Sequence, residues 1–283
     1  MYGAGAQENP QSTPSTTSLK FHVYGGLPAT EHVYVRQGYV LGFNPETRTP
    51  SWVAYRVVPE YRRTPRREGP FKRLRDDPDI ANEPAYEEYR GVFDARGFAR
   101  GHLAPYAVMG GDRDGDGRQA EYHRGNPENV GDPDDARTLF EANYMSNIAP
   151  QHHEGFNNGG RVNGEHRHGL WYELERWIQD ELVARERREV WVFAGCVFGP
   201  GEHERIGPNK DILVPPMYFK LVISEEAGNP EPIVFAFLLP HQRVRHGELD
   251  AFLVSVNTIE AMTGLDFFGD LDDLTEARLE NFD

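Results

Sequence analysis

The strongest constraint on the fold is a pair of short polar segments, each placed where the neighbouring residues favour a strand. The first segment, residues 96–105, reads Arg-Gly-Phe-Ala-Arg-Gly-His-Leu-Ala-Pro, and the second, residues 144–151, reads Tyr-Met-Ser-Asn-Ile-Ala-Pro-Gln. A polar loop follows, and residues 170–178 then have the apolar spacing of a helix. Each segment alone is a weak signal, because a histidine after a glycine is common. In this order, the three segments indicate one functional site.

The remaining apolar patterns predict a single α+β domain with a central antiparallel sheet. Residues 38–43 and 50–58 favour a hairpin because a turn-rich connection separates them. Strands are predicted at residues 19–24, 32–41, 50–58, 190–198, 217–222 and 233–239, and helices at residues 170–187 and 249–263. The chain of 283 residues contains no internal repeat and no linker, so we expect the site to lie on one face of one sheet.

The two ends of the chain differ in composition. Residues 1–18 are rich in Gly, Ser, Thr, Pro and Gln and predict a disordered leader, and residues 19–283 are expected to form the domain. No apolar run approaches the roughly 20 residues of a membrane span, so no membrane partner is expected. The compartment stays open: a secreted or periplasmic location is favoured if an export signal was removed, and a cytoplasmic one otherwise.

Charge is distributed unevenly along the chain. The net charge of −15 opposes binding to nucleic acid, because Lys and Arg dominate phosphate binding. One tract is nevertheless basic: it contains Arg62, Arg63, Arg66, Arg67, Lys72, Arg73 and Arg75. A local basic tract can bind a polyanion on an acidic protein, although a solvated loop is an equally good interpretation of the tract alone.

An acidic loop around residues 110–137 interrupts the pattern and is interpreted as an insertion. Asp112, Asp114 and Asp116, followed by Gly117, have the ligand spacing of the first half of a calcium loop. The twelfth position is His123 rather than Glu, and no helix pair is evident on either side. A structural Ca²⁺ and a solvated acidic loop both remain open.

The paired segments resemble those of the DNA/RNA non-specific endonucleases, the ββα-metal (His-Me finger) family that includes endonuclease G and the Serratia-type nuclease. The resemblance covers nearly everything from about Phe21 to the end. The residues that carry it are Arg100-Gly101-His102, Ser146-Asn147, Pro150-Gln151, Asn157 in Phe-Asn-Asn-Gly, and Trp171-Tyr-Glu-Leu-Glu175.

This resemblance implies a role for each matching residue. His102 is expected to act as general base, since a neutral imidazole accepts a proton at neutral pH. Asn157 is expected to hold one Mg²⁺, for which Mn²⁺ can substitute, and Glu175 to orient the waters bound to the metal. Arg100 and Arg67 would stabilise charge on the phosphate. The remaining predicted substrate contacts are Asn147 and Arg66.

The sequence departs from the family pattern at two places. Ala99 stands where the family usually has Asp before Arg-Gly-His, which puts the orientation of Arg100 or His102 in doubt. Residues 160–169 separate Asn157 from Trp171, whereas the family places its Asn only a few residues before the Trp. Asn158 and Asn163 are therefore alternative metal ligands. The choice between Arg66 and Arg67 also stays open.

We therefore expect a Mg²⁺-dependent endonuclease that cuts DNA and RNA with little sequence preference and leaves 5′-phosphates. Contacts to phosphate rather than to bases or the 2′-hydroxyl would explain tolerance of both sugars. The first alternative is a non-catalytic relative that binds nucleic acid or protein. A calcium-binding interaction protein and a phosphodiesterase of small substrates are the others. A homodimer and a protein inhibitor are further partners that the sequence leaves open.

Overall fold

A computed structural model describes residues 19, 21–89, 92, 97–123, 129–162, 164–226 and 229–281. The predicted leader at residues 1–18, the alternative ligand Asn163 and part of the acidic loop lie outside the described residues. The single-domain boundaries stay a prediction.

A seven-stranded antiparallel sheet dominates the described part of the chain. Its strands are β1 (Val33–Val35), β2 (Val40–Asn44), β3 (Thr49–Val57), β8 (Glu189–Val197), β11 (Met217–Glu226), β12 (Asn229–Pro240) and β13 (Leu253–Val254), and they lie side by side in this order. Residues of β11 alternate between two apolar cores: Tyr218 and Val222 face one, and Phe219 and Leu221 face the other. The sheet is therefore buried on both faces, as its continuous apolar strands predict.

Three smaller strand pairs complete the β-structure of the described residues. The pairs are β4 (Phe98–His102) with β5 (Ile148–His152), β6 (Gly160–Val162) with β7 (Glu165–Arg167), and β9 (Arg205–Ile206) with β10 (Ile212–Leu213). All three are antiparallel. The β4–β5 pair carries the two polar segments that the sequence singles out.

The helices lie on both sides of the central sheet. They are α1 (Pro133–Ala142), α2 (Leu170–Arg176), α3 (Val256–Thr263) and α4 (Asp273–Glu280). Wider turns of π type occur at His153–Asn157 and continue α2 over Trp177–Arg185. Short 3-10 turns occur at Pro59–Arg62, Gly69–Lys72, Tyr86–Tyr89, Tyr106–Val108, Met145–Asn147 and Leu249–Phe252.

Three of the described helices begin with a side-chain cap, at Asp132 for α1, Ser255 for α3 and Asp272 for α4, and these caps explain where they start. The carboxylate of Asp132 accepts hydrogen bonds from the backbone N–H groups of Asp134 and Asp135 at the start of α1. The hydroxyl of Ser255 accepts a hydrogen bond from the N–H of Thr258 at the start of α3. The helix predicted at residues 249–263 is therefore shorter than expected, because α3 begins only at Val256, directly after this cap.

Two strand predictions near the start of the chain are wrong. No strand is present among the described residues of 19–24, because the N–H of Val23 donates to the carbonyl of Leu19 in a helical turn. The predicted strand at residues 32–41 is broken into β1 and the start of β2, which pair with each other. The hairpin of β2 with β3 is confirmed.

Candidate active site

Pairing of β4 with β5 brings the two polar segments together. His102 lies opposite Ile148, and Arg100 lies opposite Pro150. Because side chains alternate along a strand, Arg100 and His102 point to the same face. Gly101 between them is required, since a Cβ atom there would lie 2.1 Å from the side-chain amide of Gln151.

His102 contacts two polar side chains through its Nε2 atom. Asn143 Oδ1 lies 3.1 Å and Arg67 Nη2 lies 3.3 Å from Nε2. Arg67 Nη2 also donates to Asn143 Oδ1 over 2.9 Å, and Asn143 Nδ2 donates to the carbonyl of Phe71. These bonds fix Oδ1 as the atom facing the imidazole. An amide oxygen only accepts and a guanidinium only donates, so the two contacts favour opposite tautomers of His102. Because Arg67 Nη2 already donates to Asn143 Oδ1 and its contact with Nε2 is the longer one, we assign the proton to Nε2, which leaves Nδ1 as the basic atom.

The surroundings of His102 keep its ring neutral. Burial lowers the pKa of His102 to about 3, the nearby charge of Arg67 lowers it further, and the hydrogen bond to Asn143 opposes both effects. The imidazole is therefore neutral at any pH above the acidic range. Such a group can accept a proton from water at neutral pH.

Asn143 was missed by the sequence analysis although it immediately precedes the second polar segment. It is the residue that ends α1, and it is fully buried. Its position follows from the end of a helix rather than from the motif itself. A polar residue at the boundary between a predicted helix and the motif was the available signal.

Trp171 ties helix α2 to the same strand. Its Nε1 donates to the backbone carbonyl of His102 over 3.2 Å, and its ring stacks on Phe156 at 5.6 Å. Both aromatic side chains are buried. The predicted arrangement of strand, strand and helix is therefore present, with His102 at its centre.

Asn157 ends the wide turn that follows β5. Its Nδ2 donates to Gln151 Oε1, so its amide oxygen is the atom left to meet a cation. The neighbouring Asn158 instead contacts His153 Nδ1 through its Nδ2 at 3.2 Å. A single neutral oxygen suits Mg²⁺, which keeps most of its waters. The donor set therefore fits the expected metal, and both Asn157 and Asn158 keep an amide oxygen that could meet it.

The insertion between Asn157 and Trp171 does not separate them in the structure, because it closes on itself. Strands β6 and β7 pair with each other in antiparallel fashion. A Cβ atom at Gly159 would lie 2.4 Å from the carbonyl of Arg167, and one at Gly169 would lie 2.3 Å from the carbonyl of Phe156. The two ends of the insertion therefore touch, and α2 begins next to the turn that carries Asn157.

Glu175 lies on α2 with a buried lysine behind it. Lys220 Nζ is 3.7 Å from Glu175 Oε1 and 3.7 Å from the centre of the Trp171 ring. Burial raises the pKa of Glu175, and the charge of Lys220 and the Trp171 N–H oppose this shift. Lys220 was missed by the sequence analysis, which treated its strand as apolar. A single cation inside an apolar run was the signal.

Arg100 adopts an orientation that fits the loss of the usual carboxylate at Ala99. Its guanidinium carbon lies 4.4 Å from the centre of the Tyr86 ring, which is 41% exposed. Its Nε is buried without a hydrogen-bond partner. An aromatic ring, rather than an acidic partner, therefore supports this cation.

Two further residues, Arg66 and Asn147, are predicted to contact the substrate, and they differ in exposure. Arg66 is exposed and lines a shallow depression together with Pro65, Glu68 and Tyr122. Asn147 is fully buried: it accepts a hydrogen bond from the N–H of Ala104 and donates to two backbone carbonyls. Its side chain stabilises the loop after β4, and its contact with substrate stays a prediction.

Three carboxylates of the acidic loop form a compact cluster. Ligand atoms of Asp112, Asp114 and Asp116 lie within 4.8 Å of one another. Asp135 on α1 accepts a hydrogen bond from the N–H of Arg113 through Oδ1, and its Oδ2 is buried without a partner. Burial and the neighbouring carboxylates raise the pKa of Asp135 to about 6.

No helix among the described residues is both long and apolar enough to cross a membrane.

Comparison with known proteins gives matches over most of the chain. The family model described as DNA/RNA non-specific endonuclease matches residues 21–274. Human mitochondrial endonuclease G is 28% identical over 254 residues, which cover 86% of this chain and 71% of the relative. The nuclease of Serratia marcescens is 25% identical, with 87% of this chain and 79% of the relative covered.

Other relatives extend beyond the matched region. Mitochondrial nuclease EXOG of Xenopus laevis is 27% identical over 83% of this chain, and the match spans only 57% of that relative. Among solved structures, that of the EndoG/EndoGI complex has a TM-score of 0.68 at 22% identity. It covers 92% of this chain and 95% of the matched chain, and it supports the fold.

Proposed function

Because this chain belongs to the DNA/RNA non-specific endonuclease family, we propose that it hydrolyses phosphodiester bonds of DNA and RNA with Mg²⁺ and leaves 5′-phosphates. The predicted family, the α+β fold and the class of enzyme are confirmed. The observation that carries the finer proposal is the contact of His102 Nε2 with Asn143 Oδ1, which leaves Nδ1 as the base.

His102 would act on the attacking water. Its Nδ1 accepts a proton as the water oxygen forms a bond to phosphorus, and the bond from phosphorus to the 3′-oxygen breaks. The 3′-oxygen takes a proton from solvent, and the phosphate stays on the 5′ side. Neutrality of His102 at working pH makes it ready to accept that proton.

Asn157 would hold Mg²⁺ through its amide oxygen, and Glu175 would accept hydrogen bonds from waters around the ion. When bound, the ion supplies positive charge to a phosphate oxygen and to the departing 3′-oxygen. Mn²⁺ has the same oxygen preference and would substitute.

Arginine side chains would bind the phosphate. Arg67 is exposed and has its guanidinium next to His102, so it can reach a phosphate that meets the base. Arg100 lies on the same face of β4, supported by Tyr86. The exposed residues Arg63, Arg66, Lys72 and Arg73 extend this positive surface. Contacts of this kind recognise the backbone, which DNA and RNA share.

We also propose a structural Ca²⁺ at Asp112, Asp114 and Asp116. Support comes from Asp135, which is only 3% exposed. Its Oδ2 atom is buried and has no hydrogen-bond partner among the described residues. A cation at this cluster would compensate a group that otherwise carries a buried negative charge. The site would join the acidic loop to the first turn of α1.

The predicted homodimer and protein inhibitor stay predictions. The solved EndoG/EndoGI complex concerns inhibition of EndoG, and at 22% identity it supports only the fold of this chain.

The test is incubation of supercoiled plasmid and a structured RNA with the purified protein, in Mg²⁺ or in EDTA. We expect both substrates to be cut only with the metal, and His102→Ala and Asn157→Ala to lose activity by at least about 100-fold. Asn158→Ala is the matched control and should stay near wild type. An active Asn157→Ala with an inactive His102→Ala would move the metal ligand elsewhere.

The competing function is a non-catalytic relative that binds nucleic acid, which Ala99 and the acidic composition favour. It predicts retention of the substrates without cleavage under any divalent ion. Cleavage that disappears in His102→Ala excludes it, and an inert wild type that still retains plasmid DNA would support it.

A further inference from the structure

Lys220 occupies an unusual position for a lysine. It lies in the middle of β11 with its side chain fully buried, and its Nζ has no hydrogen-bond partner among the described residues. Its register neighbours on the adjoining strands are Ala194 and Phe237. Burial lowers the pKa of Lys220 to about 8, and the charge of Glu175 opposes this shift. A cation in such surroundings costs folding free energy that an apolar residue would not.

We propose that Lys220 is a positioning residue for the nuclease reaction, which holds the Glu175 carboxylate and the Trp171 ring in place behind His102. This inference rests on the proposed function. It assigns a role to a residue that lies outside the family motifs of this sequence.

The exposure of the two charged groups determines which of them can act directly. The side chain of Glu175 is 15% exposed, whereas that of Lys220 is 0% exposed. Solvent therefore reaches part of the Glu175 side chain but none of the Lys220 side chain. Lys220 must act through Glu175 rather than on the phosphate.

The distances also support a role in positioning. At 3.7 Å, Lys220 Nζ attracts Glu175 Oε1 without forming a hydrogen bond, so the carboxylate keeps its capacity to accept bonds from water. The same ammonium lies against the face of Trp171, whose Nε1 donates to the carbonyl of His102. One cation thus supports both helix residues that face the site.

The groups around Glu175 come from three elements. Lys220 from β11 is the cation, and the ring of Trp171 from α2 lies against it. Tyr55 from β3 is buried, and burial and the charge of Glu175 raise the pKa of its phenol well above 10. Tyr55 therefore stays neutral, and among the described groups Lys220 is the one that balances the negative charge of Glu175.

The test compares Lys220→Met, Lys220→Arg, Glu175→Gln and the double variant Lys220→Met/Glu175→Gln. We expect Lys220→Met to lower kcat about 10- to 100-fold with little change in KM, as loss of a supporting residue at a metal site does. The acidic limb of its kcat–pH profile should move to higher pH, because Glu175 loses its counter-charge. Lys220→Arg keeps the charge and should recover most of the wild-type pH profile.

Two outcomes would overturn the inference. In the first, Lys220→Met has the wild-type kcat and pH profile. In the second, the double variant is slower than Glu175→Gln by the full factor of Lys220→Met, which would mean that the residues act separately. Lys210→Met, at an exposed loop position, is the matched surface control. Circular dichroism of each variant establishes that it is folded.

A direct titration separates this inference from the proposed function. In protein labelled with ¹³C at glutamate carboxyls, the Glu175 signal is the one absent from Glu175→Gln. We expect its pKa to rise in Lys220→Met, and an unchanged pKa would overturn the pairing whatever the activity. An inert wild type would overturn the proposed function, and with it the role of Lys220 in that reaction.

Discussion

Asn143 Oδ1 lies 3.1 Å from His102 Nε2, and the two residues are 41 positions apart in the sequence. Because Arg67 and Phe71 fix the orientation of the Asn143 amide, this contact selects the imidazole tautomer with the proton on Nε2. If Nδ1 carried the proton instead, Nδ1 could not accept a proton from water. The end of α1 thereby determines how the ring of β4 can react.

Replacing Asn143 should therefore lower activity. We expect Asn143→Ala to reduce kcat by about 10-fold or more, as part of the 10²- to 10⁴-fold that a general base contributes. The lost bond to Phe71 should also lower the free energy of unfolding by roughly 1 kcal/mol. Plasmid cleavage and urea unfolding measure the two effects, with exposed Asn209→Ala as control. Unchanged kcat in Asn143→Ala would exclude control of the tautomer by this residue.

Arg66 and Arg67 provide a matched pair of neighbours. Arg67→Ala removes the guanidinium next to His102 and should lower kcat about 10²- to 10³-fold, as loss of a donor to transition-state charge does. Arg66→Ala should change KM a few-fold and reduce its salt dependence, because Arg66 lies on the exposed surface. Steady-state kinetics at two salt concentrations distinguish them. Equal effects on kcat would mean that the two arginines share one role.

Calcium should stabilise the protein through the acidic loop. An ion at 100 times its dissociation constant would add about 2.7 kcal/mol to the free energy of unfolding, and this gain should be absent in Asp114→Asn. Thermal melts with Ca²⁺ and with EDTA measure it. A melting temperature that does not depend on Ca²⁺ in the wild type would exclude the site.

The variant Asp135→Asn distinguishes a cluster that binds a cation from a cluster of carboxylates that binds none. The pKa of Asp135 is raised to about 6, so its carboxylate lowers stability at neutral pH when no cation is bound. We expect Asp135→Asn to be at least as stable as the wild type in EDTA at pH 7.5 and less responsive to Ca²⁺. A clear loss of stability in EDTA would show that the hydrogen bond from Arg113 outweighs the buried charge.

Acid should destabilise the fold through His241. Its Nδ1 donates to the carbonyl of Pro215, and its Nε2 accepts a hydrogen bond from the N–H of His152, so the ring is neutral. Burial, and then the charge of His152, lowers the pKa of His241 to about 3. A depressed histidine pKa contributes stability that is present above about pH 6.5 and is lost as the pH falls toward 3.

The measurement for His241 is the free energy of unfolding between pH 7 and pH 4. The histidine contributes a slope of up to about 1.4 kcal/mol per pH unit over this range. His241→Gln should be less stable at pH 7, because it loses the packing of the ring on His152, and should show a smaller slope. His246→Gln at an exposed position is the control. An unchanged slope in His241→Gln would assign the acid sensitivity to other groups.

The sequence by itself identified the family and the α+β fold and indicated His102 as the candidate base, because the two polar segments and the amphipathic helix are local patterns in a definite order. It also indicated Arg67, Asn157 and Glu175 through the resemblance. Each of these residues lies in or near a segment whose own residues determine a strand, a turn or a helix. Local patterns of this kind depend on neighbours within a few positions.

Only the tertiary structure decided which groups surround His102 and Glu175. Asn143 reaches the imidazole because α1 ends there, and Lys220 reaches Glu175 because β11 faces α2 across the core. The insertion after Asn157 leaves α2 next to the turn that carries Asn157, because its two ends meet. Asn147, expected at the substrate, is buried in backbone hydrogen bonds. Packing between distant segments sets these contacts, and no pattern of neighbouring residues encodes it.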